Sequence, residues 1–469
     1  MFSRDNLILI ILFCLLLFFG TWQLPESPAT WFDEGINLGI AKSLINNGVF
    51  NLEIGPGEFV KEKQFLITSN YPVLLPVALS LRLFGSNLVA ARLPMILFLI
   101  AFALAAYFLV KKLYSKEAAI MSVALIVSFT PFYGNGKAVL GEIPGLFYFL
   151  CALLLLPPEF NVKKLFFAGL FTGLSAATKP FFLIVPAAIF VGEIFYYRKS
   201  GELLKRFTYL AAGGVLPMLA WLYTILPSLS PAGLLSAFSY YANSYASSDF
   251  WVLISANALR FFTESTPIHF LALFLISAAF IFWKKRRGEN IKEIEIIFAA
   301  FILLALAFYL KTPGWYRYFF PAHMVLFLIF PTALIYLFNK KTAIILITFL
   351  FIFQFVYTIS QRNTSIYYSN EAEVFSGYVM ETTAPKDKIF FINAPSAAFL
   401  IEGRQIYQYL QITPILYFGK TDIENYNYIA VFGVGIDMFS GALKANYKIQ
   451  KQIGHYSLYK NLVSSQARF

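Results

Sequence analysis

Long apolar runs, separated by short charged links, recur from Leu7 to about Ile359. A run of roughly 20 apolar residues is what crosses the hydrocarbon core of a bilayer as a helix. Helices satisfy their own backbone groups in lipid. The runs do not alternate apolar and polar residues, which excludes barrel strands. The chain has 469 residues, 59% hydrophobic and only 13% charged, more apolar surface than a soluble fold needs. Its 53 Phe and 28 Tyr suit a protein rich in lipid-facing and interfacial positions.

The expected spans are Leu7–Trp22, Leu88–Val110, Ala118–Phe132, Pro144–Leu156, Leu165–Ala177, Phe181–Tyr196, Tyr209–Leu226, Ile268–Trp283, Ile296–Leu310, Tyr318–Phe338 and Ala343–Ile359. That is about eleven crossings by hydropathy, up to about thirteen if shorter apolar segments also cross. Leu7–Gly20 behind Arg4 is read as an uncleaved anchor, since no small-residue cleavage site follows. Tyr71–Phe84 is short and holds Pro72 and Pro76, and reads as a juxtamembrane or re-entrant helix.

The net charge of +12 would suggest nucleic acid in a soluble chain. Here the basic residues gather in links. Lys111-Lys112, Lys163-Lys164, Arg198-Lys199 with Lys205-Arg206, Lys284 to Arg287, and Lys340-Lys341 all fall on one side when the spans are traced. The positive-inside rule makes that side cytoplasmic, with the N-terminus inside. Counting Tyr71–Phe84 as a crossing would reverse all of these links. Cys14 and Cys151 both lie in apolar runs and give neither a disulfide framework nor a metal spacing. With 3 His in the chain, a His-rich metal site is disfavoured.

The expected fold class is therefore an all-α polytopic membrane protein with a small C-terminal α/β domain on the outer face. Residues 1–360 form the transmembrane domain, with an outer loop over 24–84, and 361–469 form the exported domain. In that domain Lys388–Asn393, Tyr428–Gly433 and Ile453–Tyr459 read as strands and Glu371–Thr382 as a helix. Asn363-Thr364-Ser365 matches a glycosylation sequon. A multi-pass location in the plasma (inner) membrane follows.

The outer loop presents Asp33-Glu34 directly after Trp31-Phe32. Asp33 to Asn47 reads as a short helix stopped by Gly48, since glycine readily takes the left-handed C-cap conformation. The other outer links carry isolated charges beside helix ends: Lys137, Glu142, Lys179, Asp249, Arg260, Glu264, His269, Lys311 and Arg317. Any one of the cations reads equally well as an interfacial anchor. As a set on one side, carboxylates and cations mixed, they indicate a polar cavity. Transfer from a lipid-linked donor needs a groove for the lipid, cations for its phosphate and a carboxylate for the acceptor proton. Lys179 and Arg317 suit the phosphate. Asp33 or Glu34 suits the proton. Helical spacing turns the two carboxylates about 100° apart, so one faces the cavity.

These residues resemble a known superfamily. Asp33-Glu34 after the first span resembles the first-loop acidic motif of GT-C glycosyltransferases. Within it the chain is most similar to the branch of the protein O-mannosyltransferases and lipid A aminoarabinose transferases. The runs Asn70-Tyr71-Pro72, Leu81-Arg82-Leu83-Phe84-Gly85 and Ala91-Arg92-Leu93-Pro94 carry that similarity, with Gly141-Glu142-Ile143-Pro144, Thr178-Lys179-Pro180 and Tyr316-Arg317-Tyr318. It covers about Asn6 to Phe338. The resemblance implies an inverting enzyme that uses a polyprenyl- or dolichyl-phosphate sugar and a protein, lipid or glycan acceptor. It implies Asp33, Glu34 and Glu142 as catalytic candidates, with Asp33 preferred as base. Lys179, Arg317, Tyr316, Lys61 and Lys63 become donor-phosphate candidates, and Asn70, Tyr71, Lys137 and His269 cavity candidates. Asn70 stands where the aminoarabinose branch often has a lysine, so either Lys61 or Lys63 supplies that charge or the donor is held differently.

No cofactor signature is present. Asp33, Glu34 and His269 are the candidate ligands for a divalent cation, with a spacing that carries no evidence for one. The competing class is a transporter or flippase of lipid-linked saccharides, which would show internal repeats. None is found. A scaffold without chemistry accounts for Asp33-Glu34 as helix N-terminal charges, but not for Glu142, Lys179 and Arg317 on the same side.

Overall fold

The computed structural model describes residues 4–226, 230–242, 249–362, 367–413, 416–419, 425–433, 441 and 445–462. The sequon at Asn363 lies outside them. The chain begins with helices α1 (Arg4–Thr21) and α2 (Phe32–Asn47) and the small hairpin β1 (Glu53–Gly55) and β2 (Glu58–Phe59). Next come α3 (Tyr71–Phe84), α4 (Leu88–Leu113), α5 (Lys116–Ser128), α6 (Thr130–Gly136), α7 (Glu142–Leu155), α8 (Val162–Thr178), α9 (Ile184–Tyr197) and α10 (Leu203–Ile225). After these come α11 (Pro231–Ala242), α12 (Phe250–Thr263), α13 (Ser265–Arg286), α14 (Glu293–Leu310), α15 (Phe320–Leu337) and α16 (Lys340–Gln361).

Every expected span falls on a helix, but the count of about eleven crossings is not reproduced. Among the described residues, 8 helices are long and apolar enough to cross, or 9 if α5 and α6 form one span bent by 68°. The shortfall is one of length. α7 has 14 residues and α8 has 17, so at 1.5 Å per residue both fall short of a core about 30 Å thick. The bend has a local cause. Pro131 has no N–H for the Val127 carbonyl and its ring crowds that turn. The helix stops at Ser128 and restarts at Thr130. The freed Val127 carbonyl accepts the Tyr133 hydroxyl at 2.8 Å.

The basic links gather at one end of the bundle. Lys340 pairs with Glu117 at 2.7 Å, and Lys116 with Asp5 at 3.0 Å. Lys112 donates to the Leu154 carbonyl at 2.9 Å. Arg206 is clamped by Glu193, and Lys284 by Glu295. The opposite end carries α2, the hairpin and the C-terminal unit.

That unit holds α17 (Glu371–Thr382), β3 (Lys388–Ile392), α18 (Pro395–Leu400), β4 (Gln405–Thr413), β5 (Leu416–Gly419), β6 (Tyr428–Phe432), β7 (Tyr447–Ile453) and β8 (Tyr456–Asn461). The sheet order is β5-β4-β3-β6-β8-β7. β3 runs parallel to β4 and β6, and the outer pairings are antiparallel. The helix over 371–382 and the strands from Lys388 and Tyr428 match expectation. The expected strand Ile453–Tyr459 is instead the end of one strand and the start of the next. Gly454, at φ 54°, makes the turn between β7 and β8.

The C-terminal unit is fastened to α2. Lys42 Nζ donates to the Phe399 and Ile401 carbonyls at 2.6 and 2.9 Å, closing the end of α18. The Ser396 hydroxyl donates to the Trp31 carbonyl at 3.1 Å. α18 lies so near that a Cβ on Gly35 would come within 2.4 Å of the Ser396 nitrogen. The sheet is therefore docked on the helix whose first turn carries Asp33 and Glu34.

Candidate active site

α2 starts from an extended Trp31, has Asp33 and Glu34 in its first turn, and ends at Gly48, φ 69°, as its composition requires. Negative side chains favour a helix N-terminus. One turn of helix sends the two carboxylates different ways. Asp33 lines a cavity of about 790 Å³ between the membrane helices and the C-terminal sheet. Glu34 is sealed behind it.

Arg317 reaches Asp33 from the other wall, Nη1 to Oδ2 at 2.5 Å. Gly314, at φ 74°, turns the chain after α14, and Tyr316–Tyr318 forms a 3₁₀ turn that presents the arginine. Its guanidinium lies 4.8 Å from the Trp315 ring centre and 5.3 Å from that of Tyr318, within cation–π range. Burial opposes its charge, but the Asp33 carboxylate beside it wins and pushes its pKa up. Arg317 Nε is buried without a hydrogen-bond partner. A buried donor left unpaired is costly, and an anion oxygen would satisfy it.

Lys179 is extended, as a residue before proline must be. Its ammonium is paired with Glu142, the first residue of α7. Glu142 Oε2 is buried and unpartnered. The Asn70 N–H holds the Thr178 carbonyl at 3.0 Å, bracing this link. Lys179 lines the cavity with Asp33, Tyr316 and Arg317. These four expected site residues therefore converge, and Glu142 stands directly behind Lys179.

The others lie elsewhere. Glu34 accepts from Arg92 Nε at 2.9 Å, from Arg92 Nη2 at 2.7 Å and from the Val139 N–H at 3.0 Å. Both side chains of that pair are 0% exposed. Lys137 is buried and donates to the Trp22 carbonyl at 2.8 Å, capping the end of α1. Asn70 Oδ1 caps α3 and accepts from Thr224 at 2.8 Å. Tyr71 donates to the Pro217 carbonyl at 3.2 Å. His269 Nδ1 lies 3.1 Å from His323 Nε2, and His323 Nδ1 lies 3.1 Å from the Tyr316 hydroxyl. Lys61 is exposed, and burial lowers the pKa of the half-buried Lys63. None of these seven residues lines the cavity.

The candidate metal set also separates. Glu34 turns to Arg92 and His269 to His323, and among the described residues no three His, Cys, Asp or Glu side chains meet.

Sequence reasoning gave Arg92 no role beyond its motif, because its partner is 58 positions away. Arg260 and Glu264, noted as outer charges, both line the cavity. So do Phe65 and Tyr240, with ring centres 4.6 Å apart. Burial, with Tyr318 and Asp33 adding to it, pushes the Tyr240 phenol up to about 12. Asn393, Gln411, Ile412, Phe432 and Gly433 line the far wall, and no local sequence signal marks them.

Residues 73–223 match the family described as dolichyl-phosphate-mannose-protein mannosyltransferase. A search of curated protein sequences finds no match. Among solved structures, ArnT from Cupriavidus metallidurans bound to undecaprenyl phosphate is 10% identical, with a TM-score of 0.70 over 98% of this chain and 99% of that one. The oligosaccharyltransferase of Archaeoglobus fulgidus, in complex with zinc and sulfate, is 13% identical, with a TM-score of 0.59 over 97% and 73%. The archaeal oligosaccharyltransferase AglB from the same organism, with an inhibitory peptide and a dolichol-phosphate, gives 12% identity and a TM-score of 0.54 over 97% and 74%. The chain thus shares the fold of ArnT and of the archaeal oligosaccharyltransferase, and residues 73–223 match the dolichyl-phosphate-mannose-protein mannosyltransferase family.

Proposed function

We propose that this chain is an inverting membrane glycosyltransferase. It moves a sugar from a polyprenyl- or dolichyl-phosphate donor to a hydroxyl-bearing acceptor. The observation that carries the reading is the convergence of Asp33, Lys179 and Arg317 on one cavity. The matched family and the ligands bound to the similar structures, undecaprenyl phosphate and a dolichol-phosphate, agree with it.

The donor phosphate sits between Arg317 and Lys179. The unpartnered Arg317 Nε gives one oxygen a donor. The acceptor oxygen attacks the anomeric carbon from the face opposite the phosphate. A carbon–oxygen bond forms there as the bond to the phosphate oxygen breaks. The polyprenyl phosphate leaves with that electron pair, its new charge met by the same two cations. The acceptor proton passes to Asp33. Arg317 engages Asp33 Oδ2 and leaves Oδ1 to receive it. A carboxylate is a weak base, but proton transfer late in the attack suits it, since bond formation acidifies the acceptor.

The orientation we infer has the basic end of the bundle in the cytoplasm, and the cavity and C-terminal domain outside. The clustering of the basic links supports it. Residues 24–84 then form the outer catalytic loop, and 361–469 the exported domain. The reading is tested by purified protein and a polyprenyl-phosphate mannose. Loss of the donor coupled to a glycosylated product supports it, whereas no donor consumption with a broad acceptor panel refutes it. A cysteine placed at Asn425 should react with an impermeant thiol reagent in intact cells. Reaction only after lysis reverses the orientation.

A further inference from the structure

The cavity has two unlike walls. Among the described lining residues, the membrane-helix wall holds every formal charge: Asp33, Lys179, Arg260, Glu264 and Arg317. The wall from the C-terminal sheet holds Asn393, Gln411, Ile412, Phe432 and Gly433, with no charge. It lies at the carboxyl ends of β3 and β6 and the late part of β4. Because β3 is parallel to both neighbours, these ends open on one side, the place where open α/β sheets bind ligands.

From this asymmetry we propose that the C-terminal wall is the acceptor subsite and that the acceptor is a neutral saccharide. The inference rests on the glycosyltransferase reading. Each lining cation already faces a carboxylate. Arg317 faces Asp33, Lys179 faces Glu142, and Arg260 lies 3.4 Å from Glu264. The donor's phosphodiester is a monoanion that draws on these same cations. A phosphorylated acceptor would bring a second anion beside Asp33, and among the described lining residues every cation is already paired. The far wall offers carboxamides, which both donate and accept, and the half-buried ring of Phe432. Amides with an apolar ring suit vicinal hydroxyls and the C–H face of a sugar. The wall is also fixed in shape. Asn393, at φ 53°, accepts the Gln411 N–H through Oδ1 at 2.7 Å, which leaves its Nδ2 hydrogens for a ligand. Gln411 keeps its side-chain amide for the same use.

The test uses full-length protein in nanodiscs. Undecaprenyl phosphate binding is followed by native mass spectrometry. Mannotriose binding to the undecaprenyl-phosphate-loaded protein is followed by tryptophan fluorescence, since Trp31 and Trp315 line the cavity. Mannotriose should bind saturably. Gln411→Ala and Asn393→Gly should each weaken it about three- to tenfold, the loss of a neutral hydrogen bond. Glycine accepts the backbone angle of Asn393 but gives up the bond to the Gln411 N–H, so Gln411→Ala isolates the ligand contact and Asn393→Gly tests the contact together with the fixed wall. Undecaprenyl phosphate binding should not change in either variant. Unaltered mannotriose affinity in both variants overturns the proposal. So does stronger binding of mannose 6-phosphate or of a serine- and threonine-bearing peptide. Wild-type protein that fails to bind undecaprenyl phosphate would sink the glycosyltransferase reading itself, a result separate from any saccharide outcome.

Discussion

Asp33 and Glu34 are chain neighbours, and each meets an arginine, yet they belong to two different regions. In the sealed joint, Glu34 and Arg92 are both 0% exposed, and each guanidinium nitrogen of Arg92 has a partner. Arg92 Nη1 also holds the Leu24 and Pro25 carbonyls at 2.8 and 3.0 Å, which fixes the chain between α1 and α2. In the cavity, Asp33 is 22% exposed and Arg317 13%, and the contact is a single bond that leaves Arg317 Nε unpaired. The sealed pair is satisfied and static. The open pair keeps unused hydrogen-bonding capacity, which is what a group that must meet substrate requires. Glu142 with Lys179 is nearly as buried as the sealed pair, at 2% and 9% exposed, but like the open pair it keeps unused hydrogen-bonding capacity, in the unpaired Glu142 Oε2.

The largest effect is expected on the open side. Asp33→Asn should lower kcat by about 10²–10⁴, the range for loss of a general base, with donor affinity nearly kept. Near-full turnover in Asp33→Asn with a dead Glu142→Gln would move the base to the pair of Glu142 and Lys179.

The sealed side should fail differently. Arg92→Met leaves Glu34 buried and uncompensated, a loss of about 3–5 kcal/mol of stability. It should show as a lower unfolding temperature, with kcat per folded molecule near wild type. The double change Glu34→Leu with Arg92→Met should recover much of the stability, because apolar replacement of a whole buried pair is often neutral. A double variant that is stable but inactive would make Glu34 part of the chemistry and erase the contrast.

A smaller effect is expected from the cation of the open pair. Arg317→Met should raise the donor KM by one to two decades, since a hydrogen bond to a charged group is worth about 1.5–3 kcal/mol. An unchanged KM would make Arg317 only a partner of Asp33.

How much of this was legible follows from range along the chain. The apolar runs, the helix beginning at the acidic pair and its stop at Gly48 are local signals, and each was readable. The divergence of the two carboxylates followed from 3.6 residues per turn. Which partner each would meet did not. Glu34 and Arg92 are 58 positions apart, and Asp33 and Arg317 are 284 apart. Lys137 read as a cavity cation because it is a lone charge near a helix end. Pro131 bends that segment instead, and the lysine ends against the carbonyls of α1. The uncharged wall was invisible, because Asn393, Gln411 and Phe432 meet only through strand pairing.

The smallest effect tests the loop between α2 and α3. Lys61 is one of the two loop lysines that the sequence offers for the phosphate charge Asn70 lacks, the alternative being a donor held differently. In the structure it is exposed and outside the cavity lining. Asn70 itself braces the Lys179 link through the Thr178 carbonyl, so its role there is positional. An exposed cation away from a bound phosphate is screened by water and salt, and its removal changes stability by about 0.5 kcal/mol or less. Lys61→Gln should therefore leave the donor KM within about twofold of wild type, a factor worth about 0.4 kcal/mol. Measuring that KM at low and high salt separates two cases. An unchanged value at both keeps the phosphate between Arg317 and Lys179. A tenfold rise at low salt would show that the loop carrying Lys61 folds onto the donor during turnover, and the open region would then be larger than the cavity between helices and sheet.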